Sequence, residues 1–311
     1  MKICVAVPVY NEEDVLPEFL ARTGQVLDKL GIGPHQMLFI DDGSSDATLR
    51  ILRDAAERDP RVAVISLSRN FGHQAAITAA LDHANGDATV IMDADLQDPP
   101  EAIATFVAKW NEGFDVVYAQ RVNRKESLWL RFCYFSFYRI LSLLATIDLP
   151  LDAGDFGLMS MRVVQQLRSL PEHVRYTRGL RRWVGFRQIG IAIERSERHA
   201  GESKYSPFRL FKLASDGILA FSSAPLHAAS LVGFIAVCLS AAFALYSIIA
   251  KFLPGQSPKG FTALTVLITF LSGVNLMFLG VIGAYIARIY EEVKGRPVYV
   301  VAEKSGSLFQ G

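Results

Sequence analysis

Asp93 and Asp95 close an apolar run formed by Val90, Ile91 and Met92, and Leu96, Gln97 and Asp98 follow at once. Two carboxylates spaced i and i+2 at the carboxyl end of a buried strand can hold a hard divalent cation such as Mg²⁺. That cation can in turn neutralise a diphosphate. The same tripeptide is also an ordinary strand-to-turn transition, so it carries chemistry only where other groups converge on it. Three stretches could converge. Asp41-Asp42-Gly43-Ser44-Ser45-Asp46 ends a second apolar run. Asp152-Ala153-Gly154-Asp155-Phe156-Gly157 is an acidic, glycine-bearing segment that reads as a loop returning to the sheet edge, or simply as a solvated turn. Arg198-His199-Ala200-Gly201-Glu202-Ser203-Lys204-Tyr205 joins cations to glycine and hydroxyls, which suits an anion, although a solvated basic loop has the same composition.

Other chemistries are disfavoured. No G-x-G-x-x-G follows the first apolar run and no G-x-x-x-x-G-K-[ST] occurs, which argues against a dehydrogenase or an ATPase. The 3 cysteines, Cys4, Cys133 and Cys238, are far apart and lack C-x-x-C spacing, so neither a disulfide framework nor a zinc site is indicated and a reducing compartment fits. A formal net charge of +1 gives no bulk electrostatic reason to expect nucleic acid.

The elements that must position these groups alternate. Apolar strand patterns cover 3–7, 37–40, 62–67, 87–92 and 115–119. Helix patterns lie between them, to about Leu30, over 47–58 and 74–83, and from Pro99-Pro100 to about Asn111. Such alternation predicts an α/β fold with a mainly parallel sheet covered on both faces. In that sheet the carboxyl ends share one edge, where ligands bind. Pro8 to Glu12, Asp41 to Asp46, Arg69 to His73, Asp93 to Asp98 and Arg121 are thereby gathered from distant parts of the chain. A further strand is expected over 187–194.

The second half changes character. The 311-residue chain is 51% hydrophobic and 20% charged. No Asp, Glu, Lys or Arg stands between Asp216 and Lys251, nor between Lys259 and Arg288. Crossing a hydrocarbon core takes roughly 20 apolar residues. Two transmembrane helices are therefore expected, at about 226–250 and 261–287, forming a hairpin. Aromatic stretches with interspersed arginines and lysines at about 127–147 and within 206–225 suit helices lying in a membrane interface; a thick core helix is the alternative for the first. Basic residues before and after the spans place the N-terminal domain and the tail (291–311) on the cytoplasmic side, against the short connector's Lys251 and Lys259. Gly273, Gly280 and Gly283 would let the second span pack closely against a neighbour, which allows self-association. The stretch from Ile3 to Val9 is too short for a signal peptide.

Val7-Pro8-Val9-Tyr10-Asn11-Glu12-Glu13, the Asp41 to Asp46 turn and Asp93-Ala94-Asp95-Leu96-Gln97-Asp98-Pro99-Pro100 together resemble glycosyltransferase family 2. Arg198-x-x-Gly201-x-Ser203-Lys204-Tyr205 before two spans is similar to its polyprenyl-phosphate branch, which includes dolichol-phosphate mannose synthases and bacterial undecaprenyl-phosphate glucosyltransferases. Asp155-Phe156-Gly157-Leu158-Met159 and Arg69-Asn70-Phe71-Gly72 look most like the bacterial group. The resemblance covers nearly the whole chain and implies a GT-A domain over 1–205. It further implies inverting transfer of one sugar, most simply glucose from UDP-glucose, to a polyprenyl phosphate at the cytoplasmic membrane. By resemblance Pro8, Tyr10, Glu12, Asp41 and Ala94 line the nucleoside pocket. Asp93 and Asp95 serve Mg²⁺ or Mn²⁺, with Gln97 beside them. Arg121, Arg131, Arg198, Ser203 and Lys204 hold phosphates, the lipid acceptor's among them. Asp155 matches the catalytic acid–base of the bacterial group, with Asp95 as the other catalytic carboxylate. Other sugars (mannose, a 4-amino-4-deoxyarabinose derivative) and a catalytically silent membrane scaffold are the alternatives. A processive synthase is disfavoured, because Gly179 stands where Gln-x-x-Arg-Trp needs glutamine before Arg182-Trp183.

Overall fold

A computed structural model describes residues 1–31, 33–121, 153–172, 175–193, 224–251, 260–306 and 309. They fall into two units, one of 1–121, 153–193 and 296–309 and one of 224–251 and 260–295, each described by itself.

The first unit is built on an 8-stranded sheet. Its first strands are β1 (Ile3–Val9), β2 (Gln36–Asp41), β3 (Val62–Leu67), β4 (Ala88–Ile91) and β5 (Val116–Arg121). Then come β6 (Ala153–Ser160), β7 (Gln188–Ile193) and β8 (Val301–Ser305). The spatial order is β7-β5-β6-β4-β1-β2-β3-β8. β1, β2, β3 and β4 pair in parallel, as β5 does with β7. β6 runs antiparallel between β4 and β5, and β8 runs antiparallel along β3. The six expected strands are present within a residue or two. β6 and β8 were not expected. Ala153 to Ser160 reads as a turn because its glycines and Asp155 interrupt the apolar pattern, yet the segment is a buried central strand.

Helices α1 (Leu16–Lys29), α2 (Thr48–Arg58) and α4 (Ala102–Asn111) contribute Phe19, Leu27, Leu52, Ile103 and Phe106 to the core. On the sheet they meet Val5, Val7, Phe39 and Val64. Burying each large side chain contributes about 1.5–3 kcal/mol. Phe19 meets Phe39 edge-on at 6.2 Å. Helix α3 (His73–His83) is buried at every position from Ala75 to Leu81. Its alanines leave room for that, since α3 touches both the sheet and the helices α5 (Met161–Ser169) and α6 (Thr177–Trp183).

The second unit comprises α7 (Ala224–Lys251) and α8 (Phe261–Val293), which touch each other where the Phe278 ring lies by Gly233. Among the described residues one stretch, Phe270–Val293, is long and apolar enough to cross a membrane. Two such stretches and a hairpin were expected; the described residues support the one, displaced toward the carboxyl end of the span expected at 261–287. The expected interfacial helices lie outside the described residues.

Candidate active site

The parallel strands deliver Pro8, Val9, Tyr10 and Glu12 from β1 and Asp93, Ala94 and Asp95 from β4 to one edge. There they line a cleft of about 390 Å³, with Asp42, Asn70, Gly72, His73 and Ala76 completing it. The neighbouring carboxylates after β2 have different tasks. Asp41 is fully buried. It accepts hydrogen bonds from the Ser66 hydroxyl (2.9 Å) and the Ser44 backbone N–H (3.1 Å), so it braces the turn and does not line the cleft as expected. Asp42 reaches the cleft in its place and accepts the Phe71 and Gly72 N–H groups at 2.7 and 2.9 Å. Burial raises the Asp42 pKa, those backbone bonds oppose the rise, and the Asp41 charge adds to it. Gly43 lets the two loops meet: its φ is +70°, and a Cβ would lie 2.6 Å from the Arg69 carbonyl carbon.

After β4 the chain turns sharply. Leu96 has a left-handed φ of +55°, a conformation that costs a non-glycine residue about 1 kcal/mol or more. Burial of the Leu96 side chain opposes that cost. Asp95 accepts the Gln97 N–H at 3.1 Å; Gln97 itself is not among the residues lining the cleft. Burial raises the Asp93 pKa; His73 opposes this, while Asp155, Asp95 and Asp98 push it further up. Carboxylates gathered in this way favour a cation among them.

Asp155 arrives by register. β6 pairs with β4 as far as Gly157 and Ile91, so Asp155 and Asp93 each lie two residues past that last pair, at the same end of the two strands. Strand alternation turns Phe156 into the core, 4.8 Å from the Phe106 ring, and Asp155 to the opposite face. There the Asp155 side chain is only 5% exposed and accepts a bidentate pair from Arg178 at 2.8 and 2.6 Å. His73 Nε2 lies 3.7 Å from an Asp155 oxygen and 3.7 Å from an Asp93 oxygen. Burial pushes the Asp155 pKa up, but His73 and Arg178 outweigh it and hold the carboxyl far below its ordinary range. Arg181 is buried beneath this pair, 4.8 Å over the Tyr118 ring, with its pKa lowered to about 10 by desolvation. Gln74 ties α3 to α6 by accepting the Thr177 N–H and hydroxyl at 2.9 and 3.0 Å.

Of the expected residues, Pro8, Tyr10, Glu12, Asp93, Ala94 and Asp95 thus share one cleft, and Asp155 stands beside it. Arg121 ends β5, with its side chain outside the described residues. Arg131, Arg198, Ser203 and Lys204 also lie outside them. His73 and Arg178 were not singled out in sequence, since neither a histidine after a glycine loop nor one arginine among Arg175, Arg178, Arg181 and Arg182 has a distinguishing pattern.

The Glycosyl transferase family 2 pattern matches residues 4–168, which span the cleft and Asp155. The chain belongs to glycosyltransferase family 2. It is 45% identical over 97% of its length to the uncharacterized glycosyltransferase YkcC of Bacillus subtilis (strain 168), covering 94% of that protein. It is 41% identical to the uncharacterized glycosyltransferase sll0501 of Synechocystis, with 98% of this chain and 96% of that one aligned. The bactoprenol glucosyl transferase of Shigella phage SfII is 39% identical, with 97% of both chains aligned. The sheet is accordingly a GT-A-like α/β fold with a mostly parallel, mixed order, and the chain is a glycosyltransferase. A divalent cation is consistent with this family 2 cleft. Among the described residues no group of three His, Cys, Asp or Glu could hold a metal alone. Two carboxylates supplemented by substrate phosphate oxygens and water are how Mg²⁺ is commonly bound, so Asp93 and Asp95 fit.

Proposed function

We propose that this chain transfers one glucosyl unit from UDP-glucose to a polyprenyl phosphate, with inversion, at the cytoplasmic face of a membrane. The observation that carries this reading is the end-to-end similarity to the bactoprenol glucosyl transferase of Shigella phage SfII. In the reaction the bond from the anomeric carbon to the nucleoside diphosphate breaks as a lipid phosphate oxygen bonds to that carbon from the opposite side. Asp93 and Asp95 would hold the Mg²⁺ or Mn²⁺, which when bound neutralises diphosphate charge. Pro8, Tyr10, Glu12 and Ala94 form the donor pocket, over the turn that Asp41 braces. Gln97 acts through its backbone bond to Asp95. Arg121, Arg131, Arg198, Ser203 and Lys204 supply the cations and hydroxyls for the acceptor phosphate.

The acceptor oxygen is already ionised near neutral pH and needs no strong base. Asp155, engaged by Arg178, serves by fixing charge and position at the edge of the cleft, rather than by taking a proton.

The membrane reading rests on Phe270–Val293 together with chain connectivity. The first unit ends before α7 and resumes after α8, where β8 rejoins the same sheet. A chain that returns to its starting side crosses a bilayer an even number of times. We therefore assign a second crossing to α7, and Lys294 and Arg296, just beyond the span, favour the cytoplasmic side.

Membranes carrying the full chain, given undecaprenyl phosphate, Mg²⁺ and a panel of labelled nucleotide sugars, test the reading. Lipid-extractable label should appear with UDP-glucose. Label from another donor alone would replace the sugar assignment, and no label from any donor would end the enzymatic reading.

A further inference from the structure

We propose that His73 is a positioning residue for the cation and donor diphosphate, holding the Asp93 carboxylate toward the cleft through a bridge to Asp155. The inference rests on the reading of Asp93 and Asp95 as the metal site. His73 is the first residue of α3 and lines the cleft, with its side chain 47% exposed. Its Nε2 stands 3.7 Å from Asp93 Oδ1 and 3.7 Å from Asp155 Oδ2, so one imidazole nitrogen fills the gap between two facing carboxylates.

The two ends of this bridge differ in rigidity. Asp155 lies on a central strand, is almost fully buried, and is gripped at both oxygens by Arg178. His73 itself projects from a helix whose next residue, Gln74, is tied to Thr177 and whose following turns are buried. Asp93, by contrast, lies beyond the last paired residue of β4, in the irregular loop that contains Leu96 at φ +55°. His73 and Asp155, each fixed by its own partners, can in turn set the direction of the Asp93 side chain. Two carboxylates set opposite each other repel, and a ring nitrogen between them opposes that repulsion. A metal ligand's orientation is commonly set by such an outer partner, whose loss weakens metal affinity about 10- to 100-fold.

The test uses the purified full chain in detergent. Mn²⁺ binding is followed by the electron paramagnetic resonance of free Mn²⁺ at fixed UDP, for wild type, His73→Leu, His73→Gln, His73→Asn and Asp93→Asn. The expected result is about 10-fold weaker Mn²⁺ binding in His73→Leu and in His73→Asn, whose amide is too short to reach. His73→Gln, whose amide nitrogen can approach the Nε2 position, should recover most of the affinity. In transfer assays the Mn²⁺ requirement of His73→Leu should shift by the same factor, with kcat at saturating Mn²⁺ largely restored; a general structural defect would not be rescued by metal. If Asp93→Asn weakens Mn²⁺ binding while His73→Leu and His73→Asn stay within twofold of wild type, the role of His73 is overturned and the metal site stands. Equal weakness of His73→Gln and His73→Leu overturns it also. If Asp93→Asn binds as wild type does, the metal-site reading fails and this inference fails with it.

Discussion

Asp155 has both carboxylate oxygens committed to Arg178. Its depressed pKa means that the pair adds stability above the ordinary value of 3.8 and loses it as the pH falls further, through the folded value. Asp155→Asn should therefore be less stable than wild type near neutral pH by up to about 3 kcal/mol, allowing for the partial exposure of Arg178. Thermal melts should show the difference shrinking as the pH falls below 3.8, and shrinking in part again above the ordinary histidine range, where His73, whose pKa burial lowers but its contacts with Asp155 and Asp93 raise on balance, loses its proton. Asp95→Asn should leave the melt nearly unchanged and lower turnover about 100-fold or more, because it removes charge from the diphosphate site rather than from a structural pair. Equal turnover with Mg²⁺ would remove Asp95 from the metal site. At this scale the sequence was informative where strand topology gathers residues, as with Pro8, Tyr10, Glu12, Asp93 and Asp95, which share one cleft. It could not separate Asp41 from Asp42, because two adjacent aspartates look alike until one is seen buried against Ser66. His73 and Arg178 acquire meaning only through the register of β6.

β8 was invisible in sequence for a physical reason. Val301-Ala302-Glu303-Lys304-Ser305 is short, carries two charges and follows the long apolar helix, so no strand pattern stands out. Its place is set by long-range contacts instead. Glu303 pairs with Arg53 at 2.6 Å, and the Ser68 N–H donates to the Val300 carbonyl at 2.9 Å. The Tyr299 hydroxyl donates to Asp82 at 3.0 Å, with the Tyr299 ring edge-on to His83. Tyr299→Phe should cost about 1 kcal/mol in denaturant unfolding, the loss of one hydrogen bond to a carboxylate. Deleting 297–311 should cost more and promote aggregation in light scattering, since it uncovers the β3 edge. An unchanged melt after deletion would show that β8 adds nothing to the sheet. The other strands were legible because parallel, doubly covered strands are continuous apolar runs, whereas β6 is not: Gly154 and Gly157 interrupt it, and a Cβ on Gly157 would lie 2.6 Å from the Val117 carbonyl oxygen.

For the whole molecule, connectivity makes a prediction that hydropathy alone does not. Because β1 and β8 belong to one sheet, the two chain ends share a side of any membrane that the intervening helices cross. Epitope tags at the N-terminus and after Gly311 should both be protected in intact cells and both be accessible in inverted membrane vesicles. Tags of opposite accessibility would contradict the even number of crossings. The broad plan, an α/β sheet followed by apolar helices, was readable from charge-free windows and strand–helix alternation. The return of the chain to its own first unit was not, because it depends on pairing between residues more than 230 positions apart.

The most direct measurement is the structure of the product. Purified full-length chain with UDP-glucose, undecaprenyl phosphate and Mg²⁺ should give a lipid whose mass equals the acceptor plus one hexose. Proton coupling in its NMR spectrum should report a β-linked glucosyl phosphate, the inverse of the α-linked donor. An α-linked product, a product bearing several sugars, or free glucose with unchanged lipid would contradict single inverting transfer to the lipid phosphate.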